Sequence, residues 1–219
     1  LGTARRDPGF AQVVRDAGLV VADGMPVRWL SLIQHSRAGE RITGHDLLHA
    51  CADLAVRRGY TVGFLGSAPG VAECAVDVLA ARHPGLKVAG IFRGDFHSDG
   101  TPVDLAAADA MIASIRQARP DMLFVALGCP KQEMWSARHQ RLAGVPVTVG
   151  IGGVLDVLAG RFKRAPHWVQ RAGMEWAYRL SQDPKRLWKR YLLQDIPTLT
   201  LSALDAARSR YFPQGTEAQ

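Results

Sequence analysis

No uninterrupted apolar run in this chain reaches the ~18 residues that a membrane-spanning helix needs. A bilayer-crossing protein is therefore not expected, and no signal peptide is read at the start. The first residues, LGTARRDPGF, lack a methionine, and further residues are expected upstream. Cysteine is scarce: Cys51, Cys74 and Cys129 make an odd number without ligand-like spacing. Cys51 and Cys74 fall in apolar helical patterns, and the chain reads as cytosolic with reduced thiols. The histidines (His35, His45, His49, His83, His97, His139 and His167) form no H-E-x-x-H and no Cys/His grouping. His45 and His49 are four apart without a third ligand nearby, and read as surface or packing residues. No D-x-D pair occurs, so no resident metal is expected and no cofactor is implied; phosphate charge has to be met by arginine and lysine. Internal repeats and low-complexity tracts are also missing.

What is present is basic charge, gathered in one place. The chain carries a formal net charge of +7 and a pI near 9.8. That balance points to a polyanionic partner: nucleic acid, an anionic membrane surface or a phosphorylated substrate. The stretch from Arg161 to Tyr191 holds nine Lys or Arg against Glu175 and Asp183, an excess equal to the whole net charge. The 27 Lys+Arg and 20 Asp+Glu of the chain leave 18 of each sign elsewhere. Trp168, Trp176 and Trp188, three of the five tryptophans, lie in the same stretch.

Elsewhere the pattern alternates. Strand-like runs appear at GLVVADG, YTVGFLG, LKVAGIF, DMLFVALG and VPVTVGIGG. Helical periodicity lies between most of them, in DLLHACADLAVRR, PGVAECAVDVLAARH, TPVDLAAADAMIASIRQARP and PKQEMWSARHQRLAG. The expected fold is α/β, a mostly parallel sheet with helices on both faces and a ligand site at the carboxyl ends of the strands. Three regions are expected: a core over 1–160, a basic aromatic helical appendage over 161–193, and a tail over 194–219 that is partly helical or disordered. On a first appendage helix, Trp168, Val169, Ala172, Trp176, Ala177 and Leu180 share an arc. Beyond Asp183-Pro184, Leu187, Trp188, Tyr191 and Leu192 oppose Lys185, Arg186, Lys189 and Arg190.

Several strand ends carry candidate chemistry. In GFLGSAPG, Gly66 and Ser67 allow backbone N–H groups to approach a phosphate; a plain strand-to-helix turn explains them as well. In GCPKQE, Gly128 precedes Lys131 and Gln132 in a helix's first turn. A lysine there opposes the helix dipole, which an anion would offset, and a glutamine can donate to and accept from a sugar hydroxyl. Solvated helix ends are the alternative. Asp23, after GLVVA, suits a general base or an ordinary Asp-Gly turn. Arg41 suits a phosphate or a surface carboxylate. In GIGGVLD, Gly152 and Gly153 permit close backbone approach, and Asp156 either recognises a nucleotide or stabilises its helix.

The ordered set ADGMPVRW, RITGHDLL, GFLGSAPGVAE, RPDMLFVALGCPKQE and GIGGVLDVLAGRFKRAPHWVQRAGMEWAYRL closely resembles the WecG/TagA/CpsF glycosyltransferases of bacterial surface-polysaccharide assembly. The resemblance runs from about Arg5 to about Tyr191. It implies a Rossmann-like core and inverting, metal-independent transfer of a hexose, N-acetylhexosamine or hexuronic acid. The donor implied is a UDP-sugar such as UDP-N-acetylmannosamine, and the acceptor an undecaprenyl-diphosphate-linked sugar. Asp23 takes the role of base; Arg41 and Gln132 fall near the reacting sugars. Asp156 falls near the nucleotide, and Arg179, Arg186 and Lys189 near the diphosphate. The family usually has arginine at Lys189, and Arg190 is adjacent. A strand bearing a Thr/Asn-containing turn, which borders the family's site, is expected ahead of this chain; Thr3 does not replace it. The implied partners are the donor, the lipid-linked acceptor and an anionic membrane surface, without nucleic acid; homo-oligomerisation is left open. The implied location is peripheral, on the inner face of the bacterial cell membrane. Competing readings are a nicotinamide-dependent enzyme, a nucleic-acid binder and a non-catalytic membrane-surface protein.

Overall fold

A computed structural model describes residues 2–23, 25, 41–166, 168–169, 172–184, 188, 198 and 200. Two compact units divide the chain, each discontinuous in sequence: residues 9–18 with 44–164, and residues 1–8 with 19–43 and 165–219.

The first unit is built on four parallel strands. Helix α2 (Pro8–Arg15), which follows α1 (Gly2–Arg6) of the second unit in sequence, carries the buried Phe10. After these come α3 (Gly44–Arg58), β1 (Thr61–Gly66), α4 (Val71–Arg82), β2 (Lys87–Phe92), α5 (Leu105–Ala118), β3 (Met122–Ala126), α6 (Lys131–Ala143), β4 (Val147–Gly150) and α7 (Val154–Leu158). The sheet order is β2-β1-β3-β4. Asp121 Oδ2 accepts from the Thr61 backbone N–H at 2.7 Å and from Thr61 Oγ1 at 3.0 Å, tying the starts of β1 and β3 together.

Strand periodicity sorts the core into two clusters. Val62, Phe64, Met122 and Phe124 pack with Leu48, Ala52 and Ala55 of α3, Ala72, Ala75 and Leu79 of α4, and Val154 and Leu155 of α7. The Phe64 and Phe124 rings stack at 5.4 Å, directly opposite one another in the β1–β3 register. The intervening positions Leu65, Leu123 and Val125 join Met111 and Ile115 of α5 and Trp135 of α6 in the other cluster. Helices thus cover both faces, as the sequence pattern requires. Local signals set their ends. Asp104 caps α5 by accepting from the Ala107 N–H at 3.1 Å, and Gly144 closes α6 at φ 67°.

Strand β1 leads to β2 on one side, and the chain then returns past β1 to form β3 on the other. The connections therefore diverge at the carboxyl ends of β1 and β3, where this topology opens a crevice.

One expected strand is absent: residues 19–23 form none, and Leu19 and Val20 are 74% and 61% exposed. Their apolar character supplies propensity, but a strand needs a ladder. Among the described residues the segment has one backbone bond of that kind, from the Ile42 N–H to the Ala22 carbonyl at 3.2 Å.

In the second unit, the appendage helix expected across Trp168–Leu180 is interrupted. Gly173 takes φ 72°, and α8 (Glu175–Gln182) starts afresh after it. Val169 is buried, whereas Trp168 is 73% exposed. The second appendage helix and the tail lie outside the described residues, apart from Trp188, Thr198 and Thr200. No described helix is long and apolar enough to cross a membrane.

Candidate functional site

The crevice is built by three strand ends. Gly66 closes β1 at φ 101°; a Cβ there would stand 2.9 Å from the Ala126 carbonyl oxygen and 2.9 Å from Leu127 Cδ2. Glycine thus lets the β1 and β3 ends touch. Ser67 follows at φ 68°, and its buried Oγ has no hydrogen-bond partner among the described residues. Gly128, at φ 76°, leads through a cis Cys129–Pro130 bond into α6. Its carbonyl accepts the Gln132 backbone N–H at 3.0 Å. Lys131 is exposed in this first turn.

Gln132 is only 7% exposed. Its Oε1 accepts from the Gly152 N–H at 2.9 Å, and its Nε2 donates to Glu133 Oε1 at 2.8 Å. The side chain thereby joins the β3 end to the turn after β4. It fits because Gly150 has no side chain; a Cβ on Gly150 would lie 2.8 Å from Gln132 Nε2. Gly152 takes φ 57°, and Gly153 caps α7. Asp156, one turn in, pairs with Arg161 Nη1 at 3.3 Å.

The strand ends thus carry backbone turns of positive φ and the exposed Lys131, and two buried polar atoms lie in the same turns. These atoms are Ser67 Oγ and Glu133 Oε2, both without partners among the described residues. Such an arrangement can bind a polar, hydroxyl-rich or phosphorylated ligand: the serine can donate and accept, and the carboxylate oxygen can accept from a hydroxyl.

In the second unit the bond between Ile42 and Ala22 brings the Asp23 and Arg41 segments side by side. Asp23 is exposed, and its interactions are not confined to solvent. Arg41 Nη2 donates to Glu175 Oε2 at 2.8 Å, with the two side chains 14% and 25% exposed. Arg179 lies one turn beyond Glu175 on α8 and is exposed. Arg186 and Lys189 lie outside the described residues.

The sequence model of the glycosyl transferase WecG/TagA/CpsF family matches residues 1–212. The chain belongs to this family. Three relatives carry the name N-acetylglucosaminyldiphosphoundecaprenol N-acetyl-beta-D-mannosaminyltransferase. That of Bacillus subtilis (strain 168) is 32% identical over 96% of this chain and 78% of its own length. That of Bacillus spizizenii (strain ATCC 23059 / NRRL B-14472 / W23) is 34% identical over 97% of this chain and 78% of its own length. That of Staphylococcus aureus (strain MW2) is 32% identical over 91% of this chain and 74% of its own length.

Seen as a glycosyltransferase, the chain has two site features that sequence reasoning missed. Gly150 was read only as part of a strand end; its role depends on Gln132 arriving from another element. Glu133 was passed over beside Gln132, although a second side chain of hydrogen-bonding type in the same first turn was a usable signal.

Proposed function

We propose that this glycosyltransferase moves a hexose, N-acetylhexosamine or hexuronic acid from a UDP-sugar to an undecaprenyl-diphosphate-linked sugar, with inversion and without a metal ion. UDP-N-acetylmannosamine is the favoured donor and N-acetylglucosaminyl-diphosphate-undecaprenol the favoured acceptor. The observation that carries the choice of sugar and acceptor is the activity named for relatives that align with more than nine-tenths of the chain; inversion and metal independence follow the family resemblance.

Asp23 serves as base. It takes the proton of the acceptor hydroxyl as that oxygen attacks the anomeric carbon from the face opposite UDP. A new C–O bond forms, the anomeric C–O bond to UDP breaks, and UDP leaves with the bonding pair. Arg179, Arg186 and Lys189 meet the charge that develops on the diphosphate. Gly66, Ser67, Gly128 and Lys131 bind phosphate oxygens, while Gly152, Gly153 and Asp156 contact the nucleoside. Arg41 orients the reacting sugars from its anchor on Glu175. Gln132 acts chiefly by fixing the Gly152 turn, a role its two hydrogen bonds support.

The basic stretch from Arg161 to Tyr191 holds the enzyme at the inner face of the bacterial membrane. Anionic headgroups attract it by about 1 kcal/mol per basic residue near the surface. A panel of UDP-sugars, assayed for acceptor-dependent UDP release in the presence of a chelator, tests donor choice and metal independence together. Release that stops on chelation and returns with a divalent cation would sink the metal-free mechanism.

A further inference from the structure

Glu133 stands at the third position of α6, directly after Gln132. An acid at that position ordinarily reaches back to the N–H of the residue that caps the helix. Here the cap is Pro130, which has no N–H to give. Glu133 Oε1 instead accepts from Gln132 Nε2 at 2.8 Å, and Oε2 is buried without a partner among the described residues. The positive end of the helix favours a carboxylate in this turn, but an acid turned to solvent would satisfy it equally. Helix stability therefore does not account for one oxygen aimed at Gln132 and the other buried, an arrangement that costs desolvation.

The bond settles which way the Gln132 amide points. A glutamine amide has an accepting end and a donating end of nearly equal size. The Gly152 N–H can only donate, and it meets Gln132 Oε1 at 2.9 Å. An ionised carboxylate can only accept, and Glu133 Oε1 meets Nε2. Turning the amide over would set donor against donor at Gly152 and acceptor against acceptor at Glu133. Both partners thus select one orientation for a side chain that is itself buried. Removal of Glu133 takes away the acceptor that Nε2 has, and the orientation then rests on Gly152 alone.

The consequence falls on the turn after β4. Gly152 takes φ 57° and precedes Gly153, the cap of α7, whose first turn carries Asp156. We propose that Glu133 is a positioning residue for the donor: by holding Gln132 it keeps the Gly152 turn in the conformation that receives the nucleoside. This role rests on the proposed contact of Gly152, Gly153 and Asp156 with the nucleoside of a UDP-sugar. Glu133 acts through Gln132 and not on the substrate itself. A turn ordered before the donor arrives loses little conformational freedom on binding, which tightens the complex. Loss of Glu133 therefore weakens donor binding and not the chemical step, so KM for the donor rises while kcat holds.

The test uses the full chain, with UDP as the calorimetric probe and a UDP-sugar with lipid-linked acceptor for the kinetics. Glu133→Ala is expected to weaken UDP binding and raise the donor KM by about tenfold, with kcat within about threefold of the parent. Glu133→Gln still offers an amide oxygen to Nε2 and should stay within about threefold of the parent in all three. In a Gln132→Ala background, Glu133→Ala should change UDP binding by less than about twofold. Unchanged UDP binding in a Glu133→Ala protein that melts normally overturns the inference. So does a full loss in the Gln132→Ala background, which would show that Glu133 acts independently. An equal loss in Glu133→Gln overturns it too, since charge and not the bond would then matter. Should Glu133→Ala fold poorly, Glu133→Leu, which keeps the buried volume, is held to the same outcomes. Hydrogen exchange at the Gly152 N–H needs no ligand. If the parent itself binds no UDP, the UDP-sugar reading fails and exchange alone decides the positioning of the turn. Exchange faster by about tenfold in Glu133→Ala, with sheet amides unchanged, supports it, and unchanged exchange overturns it.

Discussion

Gln132 and Gly150 share one space: a methyl group on Gly150 would stand 2.8 Å from the Gln132 amide nitrogen. The contact ties the β3 and β4 ends through the hydrogen bond from Gly152 to Gln132 Oε1. Gly150→Ala is expected to push the amide off its partners and destabilise the fold by about 1–3 kcal/mol. In a Gln132→Ala background the added methyl has room, so a double-mutant cycle should show coupling of about 1 kcal/mol or more. Additive losses in denaturant unfolding would contradict the contact.

Gly66 is constrained differently, because the neighbour is backbone. Leu127 Cδ2 can move aside, but the φ of 101° and the 2.9 Å approach to the Ala126 carbonyl oxygen remain. Gly66→Ala is expected to cost about 1–3 kcal/mol from strain and crowding together. No second substitution at Gln132 should rescue it. Urea midpoints for Gly66→Ala with and without Gln132→Ala check this.

Stability should fall in mild acid. His45 in the folded chain titrates near 4, below its ordinary 6.5, and His49 is lowered in the same direction, mainly by burial. Between those values the unfolded chain binds the proton and the folded chain does not. Stability therefore rises with pH through this window, and the contribution is lost as pH falls toward about 4. The groups around His45 are Arg164, His49, Asp46 and Arg82. Unfolding midpoints at several pH values should fall less steeply for His45→Asn than for the parent. Parallel slopes would show that His45 does not control the effect.

The catalytic assignment of Asp23 rests on family resemblance and is open to direct test. Asp23→Ala is expected to lower kcat by about 10²- to 10⁴-fold, as loss of a general base does, with donor binding little changed. Near-parental turnover would remove Asp23 from the role.

The four strands and the helices between them were legible because apolar runs alternated with helical periods, and Gly, Asp and Pro stood at the turns. GLVVADG misled because composition reports propensity, whereas a strand also requires neighbours. The break at Gly173 was missed because the apolar arc continues across it. At the site, the strand-end glycines were legible as turns. Their purpose was not: what Gly150 must avoid and what Gln132 must hold are separated along the chain and meet only in the fold. The same is true of Arg82 beside His45 and Arg164, which no spacing rule connects.

Transfer to a lipid-linked acceptor is the central claim, and product formation tests it most directly. The protein is incubated with UDP-N-acetylmannosamine and a short-chain polyprenyl-diphosphate-N-acetylglucosamine, and the lipid product is weighed by mass spectrometry. The expected result is an acceptor heavier by one N-acetylhexosamine residue, with UDP released in equal amount and none without acceptor. UDP release that ignores the acceptor, or an unmodified acceptor with every UDP-sugar tried, would contradict it.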